Sequence, residues 1–189
     1  MRTTRGFLLE LAEVAALALG LYLVITFALQ TVHVIGLSMY PTVDDQNYLI
    51  AVKVPYYFHA PQRGDIVIMR DPYDPSRDFI KRIVGVPGDR IVIRDGTVFI
   101  DERKLDEPYV VKPWSDTWPP SGQEQTLGPD QYFVMGDNRN HSSDSRVFGA
   151  INRNEIEAEA WLRVYPLSEF GVIGGPPPHM TTVALPTPA

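Results

Sequence analysis

The 189-residue chain contains no cysteine, so neither a disulfide nor thiolate chemistry takes part in its fold or its reactions. The redox compartment stays open on that ground. Histidine is scarce: His33, His59, His141 and His179 are scattered, without H-E-x-x-H or any comparable ligand spacing. That argues against a metal site, and nothing else in the chain points to a cofactor. Blocks of lysine and arginine are missing too. With 17 Lys+Arg against 23 Asp+Glu and a formal net charge of -6, the chain makes a poor partner for nucleic acid. No internal repeat is visible. What remains is a composition of 44% hydrophobic and 21% charged residues, enough to bury the core of one ordinary domain with an appendage.

The appendage comes first. Arg2 and Arg5 precede a hydrophobic stretch broken only by Glu10 and Glu13, followed by the uncharged segment Val14 to Leu29 of 16 residues. Its apolar flanks bring it to the ~20 residues that span a bilayer. The sequence therefore predicts a single transmembrane helix over residues 7–31. The arginines place residues 1–6 in the cytoplasm and everything after Ile35 outside it, in a single-pass protein of the plasma membrane. A cleaved signal peptide would share the basic start and apolar run, but this run is long for one.

From Tyr48 the period shortens from helical to strand-like. Candidate strands are Tyr48 to Val52, Asp65 to Met69, Phe79 to Val84, Arg90 to Arg94, Thr97 to Ile100, Tyr132 to Met135 and Trp161 to Tyr165, with at most a helical turn at Asn154 to Ala158. Asp95-Gly96 between two of them is a hairpin turn signal. The expected architecture is mainly β: an antiparallel β-sheet domain over residues 32–170 behind the helix. Residues 105–128 carry Pro108, Pro113, Pro119 and Pro120 and read as a long excursion from the sheets. Trp114 and Trp118 within it either pack that loop on the domain or dip into the membrane interface. The Gly- and Pro-rich segment 171–189 is expected to be disordered.

Chemistry concentrates in three places. In Val32-His33-Val34-Ile35-Gly36-Leu37-Ser38-Met39-Tyr40-Pro41-Thr42 an extended backbone turns Val32, Val34, Gly36 and Ser38 to one face, and Pro41 keeps the chain from coiling over the serine. Lys81 alternates with Phe79 and Ile83; an amine between such neighbours loses water, and its pKa falls toward the range of a general base. The bland reading is an edge lysine whose stem covers apolar surface. Third, Gly136 to Arg146 is dense in Asp, Asn and Ser, which suits a hydrogen-bonded turn that holds side chains rigidly. Asp137 with Arg139, and Asp144 with Arg146, are spaced to meet on one face.

Four segments together, Gly36 to Thr42, Arg63-Gly64-Asp65-Ile66-Val67-Ile68, Phe79 to Asp89, and Gly136-Asp137-Asn138-Arg139 with Ser142, Asp144, Ser145 and Arg146, resemble the type I signal peptidases, membrane-anchored serine proteases with a Ser/Lys dyad. The resemblance implies Ser38 as nucleophile and Lys81 as its general base. It further implies that Ser142 orients the amine, that Asp144 and Arg146 brace the site, and that Asp137 pairs with Arg82. The implied reaction removes signal peptides from exported preproteins after a small residue in an Ala-x-Ala pattern, through an acyl-enzyme with an oxyanion hole. Val32, Val34, Met39, Phe79 and Ile80 are the expected substrate pocket. Some members carry a serine where this chain has Gly36, so the oxyanion hole here is expected to use backbone N–H groups. The large accessory β domain of some members has no room beyond the excursion. The lipid bilayer and signal peptides are the expected partners, while the oligomeric state is not legible. A catalytically silent, membrane-tethered β module that binds exported chains is the alternative, and the presence of both Ser38 and Lys81 argues against it.

Overall fold

The computed structural model describes residues 4–174 and 178–181. It opens with α1 (Thr4–Ala28), a run of leucine and alanine without proline, roughly 37 Å long at 1.5 Å per residue. Leucines all round it, among them Leu9, Leu11, Leu17 and Leu21, are exposed, and Leu8–Ala28 is long and apolar enough to cross a membrane. The helix stops at Ala28 instead of continuing to residue 31. β1 (Leu29–His33) takes over, because the alternating Gln30, Thr31, Val32, His33 segment finds a backbone partner in β2 (Tyr48–Val52). Lys53 N–H donates to Ala28 O at 2.9 Å, satisfying a last-turn carbonyl and tying the helix exit to the end of β2.

Further strands follow as β3 (Ile66–Arg70), β4 (Asp78–Gly85), β5 (Arg90–Arg94), β6 (Thr97–Ile100), β7 (Arg103–Asp106), β8 (Gln125–Thr126), β9 (Gln131–Met135), β10 (Ile151–Asn152), β11 (Ile156–Tyr165), β12 (Gly171–Val172) and β13 (His179–Thr181). All named pairings are antiparallel. One sheet has the order β1-β2-β11-β3-β4-β9-β10, with β12 also on β11, and a second has the order β13-β7-β6-β5-β8. The second sheet was not legible as a separate layer in the sequence.

Period two explains how the first sheet is buried on both faces. Ile66 and Ile68 of β3 pack into one cluster with Val34, Met39, Leu49 and Ala51, whereas Val67 and Met69 point to the other with Ile83, Val134 and Ile151. A third cluster, around Ile91, Ile93, Val98, Phe133 and Met135, joins the two sheets. Asp95 and Gly96 both have positive φ, 46° and 69°, the backbone of a tight β5–β6 turn.

Three expectations need correction. Ile156 to Ala158 belong to β11 rather than to a helical turn; the turn is a 3₁₀ segment at Arg153–Glu155, held by a reciprocal cap between Asn152 and Glu155, after which β3 pulls the chain into the sheet. The segment from 171 onward is not disordered throughout: Gly171–Val172 pairs with β11 and His179–Thr181 with β7, since each finds an open sheet edge; residues 175–177 and 182–189 lie outside the described residues. Trp114, only 8% exposed, and Trp118 pack into the third cluster, Trp118 with its ring centroid 4.6 Å from that of Phe133. They fasten the excursion to the domain, so neither is free to enter a membrane interface.

Candidate active site

β4 is an interior strand of the first sheet, and it brings Lys81 in under the turn that follows β1. The lysine is 3% exposed. Its Nζ donates to Ser38 Oγ at 3.0 Å and to Ile80 O at 3.0 Å, 4.9 Å from the centroid of the Phe79 ring. Burial pushes its pKa down from 10.5 to about 8, against the pull of Asp144, Asp137 and Asp71, which favour the ammonium. A neutral amine is therefore within reach near neutral pH. Ser38 sits at the rim, half-buried, in a turn closed by Tyr40 N–H on Leu37 O at 3.2 Å. Among the described residues its own N–H donates to no protein acceptor.

A groove of about 590 Å³ opens beside the pair, lined by Val32, Val34, Gly36, Ser38, Phe79, Ile80 and Lys81 among others. Its geometry follows from incomplete pairing. β3 pairs β4 from Asp78 to Arg82 on one side, whereas β9 begins only at Arg82 on the other. The Asp78-to-Lys81 edge is thus open toward the Val32–Ser38 strip. Met39 does not line the groove, as expected for the pocket; it is 1% exposed in the first core cluster. As the neighbour of rim residue Ser38, Met39 faces the opposite way, into the core.

Behind the pair stands a set of buried charges. Arg82 Nε and Nη2 reach Asp137 Oδ1 and Oδ2 at 2.8 and 2.7 Å, a bidentate pair with side chains 1% and 0% exposed. Thr42 Oγ1 donates to Asp137 Oδ2 at 2.5 Å. Asp144 accepts from Arg146 Nε and Nη2, both at 2.8 Å, and from Gly136 N at 3.1 Å. Asp137 does not pair with Arg139, whose fork goes to Glu107.

Two further assignments change. Ser142 was expected to orient the lysine amine, but its Oγ is buried without a hydrogen-bond partner among the described residues, and the neighbouring Ile80 carbonyl holds the amine instead. Gly36 has φ +102°, and its N–H donates to Asp45 Oδ1 at 2.7 Å. That donor is spent on the turn, whereas the Ser38 N–H has no protein acceptor among the described residues.

Residues with no role assigned from sequence also shape the site. Asn138 holds the Ser38 turn twice, N–H on Ser38 O at 3.0 Å and Nδ2 on Leu37 O at 3.1 Å. Gly136 lies so close that a Cβ there would sit 2.4 Å from Ser38 O and 2.4 Å from Ser142 Oγ. Both belong to the Gly136-Asp137-Asn138-Arg139 motif, and that motif was the one available signal.

An antiparallel β fold with a buried lysine on a rim serine is an arrangement suited to a serine endopeptidase, and the apolar helix before it is long enough to anchor it in a membrane. The profile described as signal peptidase, peptidase S26, matches residues 8–165, and the chain belongs to that family. Among similar proteins, "Probable signal peptidase I-1" of Synechocystis sp. (strain ATCC 27184 / PCC 6803 / Kazusa) is 38% identical over 145 residues, covering 72% of this chain and 71% of that protein. "Signal peptidase I" of Leptolyngbya laminosa is 34% identical over 170 residues, covering 86% and 80%. A crystal structure of a signal peptidase I from Enterococcus faecalis V583 is 32% identical, covers 53% of this chain and 97% of that one, and has a TM-score of 0.46.

Proposed function

We propose that this chain removes signal peptides from exported preproteins, cutting after a small residue in an Ala-x-Ala pattern, with Ser38 as nucleophile and Lys81 as general base. The observation that carries it is the 3.0 Å contact between Lys81 Nζ and Ser38 Oγ on a lysine whose burial brings its pKa to about 8. A signal peptide adds as a strand between the open edge of β4 and the Val32–Ser38 strip, making main-chain hydrogen bonds as a sheet edge does. Its side chains then alternate, so the residue before the cut and the one two earlier meet the groove. Val32, Val34, Phe79 and Ile80 leave room there for small side chains.

In the reaction, neutral Lys81 takes the hydroxyl proton as Ser38 Oγ bonds to the scissile carbonyl carbon. The Ser38 N–H faces the oxyanion. Collapse breaks the C–N bond, and the Lys81 ammonium returns its proton to the departing amine. Water then attacks the ester with Lys81 again as base, releasing the signal peptide with a free carboxylate and restoring Ser38. Asp137, Arg82, Asp144 and Arg146 hold the strand and loop that carry the pair. The catalytic domain spans residues 32–170 and lies on the extracytoplasmic face of the plasma membrane, with the helix N-terminus in the cytoplasm; Arg2 and Arg5 support that orientation.

Detergent-solubilised protein and a synthetic Ala-x-Ala peptide test the reading. Cleavage after the second alanine should be present in the parent and lost in Ser38→Ala; a fully active Ser38→Ala would end the assignment.

A further inference from the structure

The excursion and the second sheet have no part in the reaction as derived, yet they supply a partner to each arginine behind it. Glu107, just past β7, takes the Arg139 fork at 3.0 and 2.5 Å, with Arg139 fully buried and Glu107 nearly so. The other face of Arg139 lies 4.8 Å from the Trp114 ring centroid. Tyr109 donates its hydroxyl to Glu107 Oε1 at 3.1 Å, and its ring lies under the Arg82 guanidinium at 3.9 Å. Asp116 pairs with Arg146, and Asn140 Nδ2 donates to Pro113 O at 2.9 Å. Five excursion residues, Glu107, Tyr109, Pro113, Trp114 and Asp116, thus hold the 139–146 loop and Arg82 from behind.

The route from Glu107 to the serine is short and runs through hydrogen bonds and one close packing contact. Arg139 Nε donates to Gly136 O at 2.9 Å. Gly136 rests against Ser38 O and the Ser142 side chain with no room for a Cβ. Asn138, between Gly136 and Arg139, grips Ser38 O and Leu37 O. Releasing Arg139 therefore frees the loop that sets where the serine turn stands over Lys81. A displacement of about 1 Å at such a site is enough to cost on the order of 100-fold in rate.

We propose that Glu107 is a positioning residue for the Ser38/Lys81 pair: through Arg139 and Gly136 it locks the loop that holds the Ser38 backbone, and the second sheet is the platform from which it does so. The proposal rests on the dyad reading given under Proposed function. Glu107 touches neither substrate nor the reacting atoms, so its effect falls on turnover rather than on binding.

The test uses the full chain in detergent micelles with the synthetic Ala-x-Ala peptide, and compares Glu107→Gln, Glu107→Asp, Arg139→Gln and the double variant Glu107→Gln/Arg139→Gln. Glu107→Gln leaves a buried cation unpaired and lowers both Tm and kcat, the latter at least ten-fold with KM little changed. Removing the unpaired cation in the double variant restores Tm, because no buried charge is then left alone. It does not restore kcat, because the grip on Gly136 O is still missing. Glu107→Asp keeps the charge with a shorter reach and falls between parent and Glu107→Gln in kcat. If kcat recovers together with Tm in the double variant, Glu107 is structural only and the proposal is wrong. It is equally wrong if folded Glu107→Gln turns over at the parent rate, or if the loss lies in KM alone. Should Glu107→Gln fail to fold, the double variant and Glu107→Asp give the same decision. Persisting activity in Ser38→Ala would instead sink the dyad reading, an outcome these variants do not produce.

Discussion

Lys81 Nζ lies 3.0 Å from both Ser38 Oγ and the carbonyl oxygen of its own neighbour Ile80, on a strand whose burial brings the amine's pKa down to about 8. An ammonium can only donate to the serine, whereas the neutral amine can accept its proton. The rate with the Ala-x-Ala peptide should therefore rise with pH through an apparent pKa near 8 and level off above it. Lys81→Arg should be inactive at every pH, since a guanidinium does not deprotonate. A profile flat from pH 6 to 10 in the parent would contradict the assignment of Lys81 as base.

The same burial makes Lys81 a cost to the fold. Its folded pKa, about 8, lies below its ordinary value of 10.5, so between these values the unfolded chain binds more protons than the folded one. Stability then rises with pH across that window, and the cost is fully present below it. At about 1.4 kcal/mol per pKa unit the cost is about 3 kcal/mol at pH 7. Lys81→Met should be inactive yet melt higher than the parent at pH 7, with the gap closing by pH 10.5. Melting curves in detergent at both pH values check the sign; a variant that melts lower at pH 7 refutes it.

How much of this was readable beforehand depended on range. Strands whose partner lies a turn away declared themselves: Arg90–Arg94 and Thr97–Ile100 pair through the Asp95-Gly96 turn and were legible from alternation. The end of α1 was not, because Gln30 to His33 suits either period and β2, which decides it, pairs from across the intervening turn. The same holds at the site. Local motifs drew attention to Ser38 and Lys81, which the fold brings together, but Met39, which alternation turns away from the Ser38 face, was placed in the pocket by resemblance alone and lies in the core. Asn138 meets Leu37 across 101 positions, and Glu107 meets Arg139 across 32. No local pattern announces such contacts.

Asp137 and Arg82 offer a prediction about the support. Their pair is fully buried, so Asp137→Ala leaves a buried cation and removes the acceptor of Thr42, a loss of about 3–5 kcal/mol. Asp137 also favours the Lys81 ammonium, so its removal should move the apparent pKa of the rate downward. Denaturant unfolding and a pH–rate profile read the two effects separately. An unfolding midpoint unchanged from the parent would show that the pair carries no stability.

Gly36 separates two ways in which the position two residues before Ser38 can serve the proposed reaction. Its φ of +102° is backbone that L side chains rarely adopt, at a strain of roughly 1–3 kcal/mol. A Cβ added there meets nothing within 4 Å, so the burden of substitution is conformational rather than steric. Gly36→Ala and Gly36→Ser both carry that burden, and both keep the N–H on Asp45. They differ by one hydroxyl. With the Gly36 N–H spent on Asp45 Oδ1, the proposed reaction has the oxyanion at the Ser38 N–H, where a serine hydroxyl at position 36 can supply a further donor. Both variants should lose stability by similar amounts, and Gly36→Ser should retain several-fold more kcat than Gly36→Ala. Asp45→Ala gives a third reading, because it releases the turn that this carboxylate holds; it should lower kcat with the dyad itself intact. Equal kcat in the two glycine variants, after correction for the folded fraction, would show that the oxyanion does not lie beside Gly36.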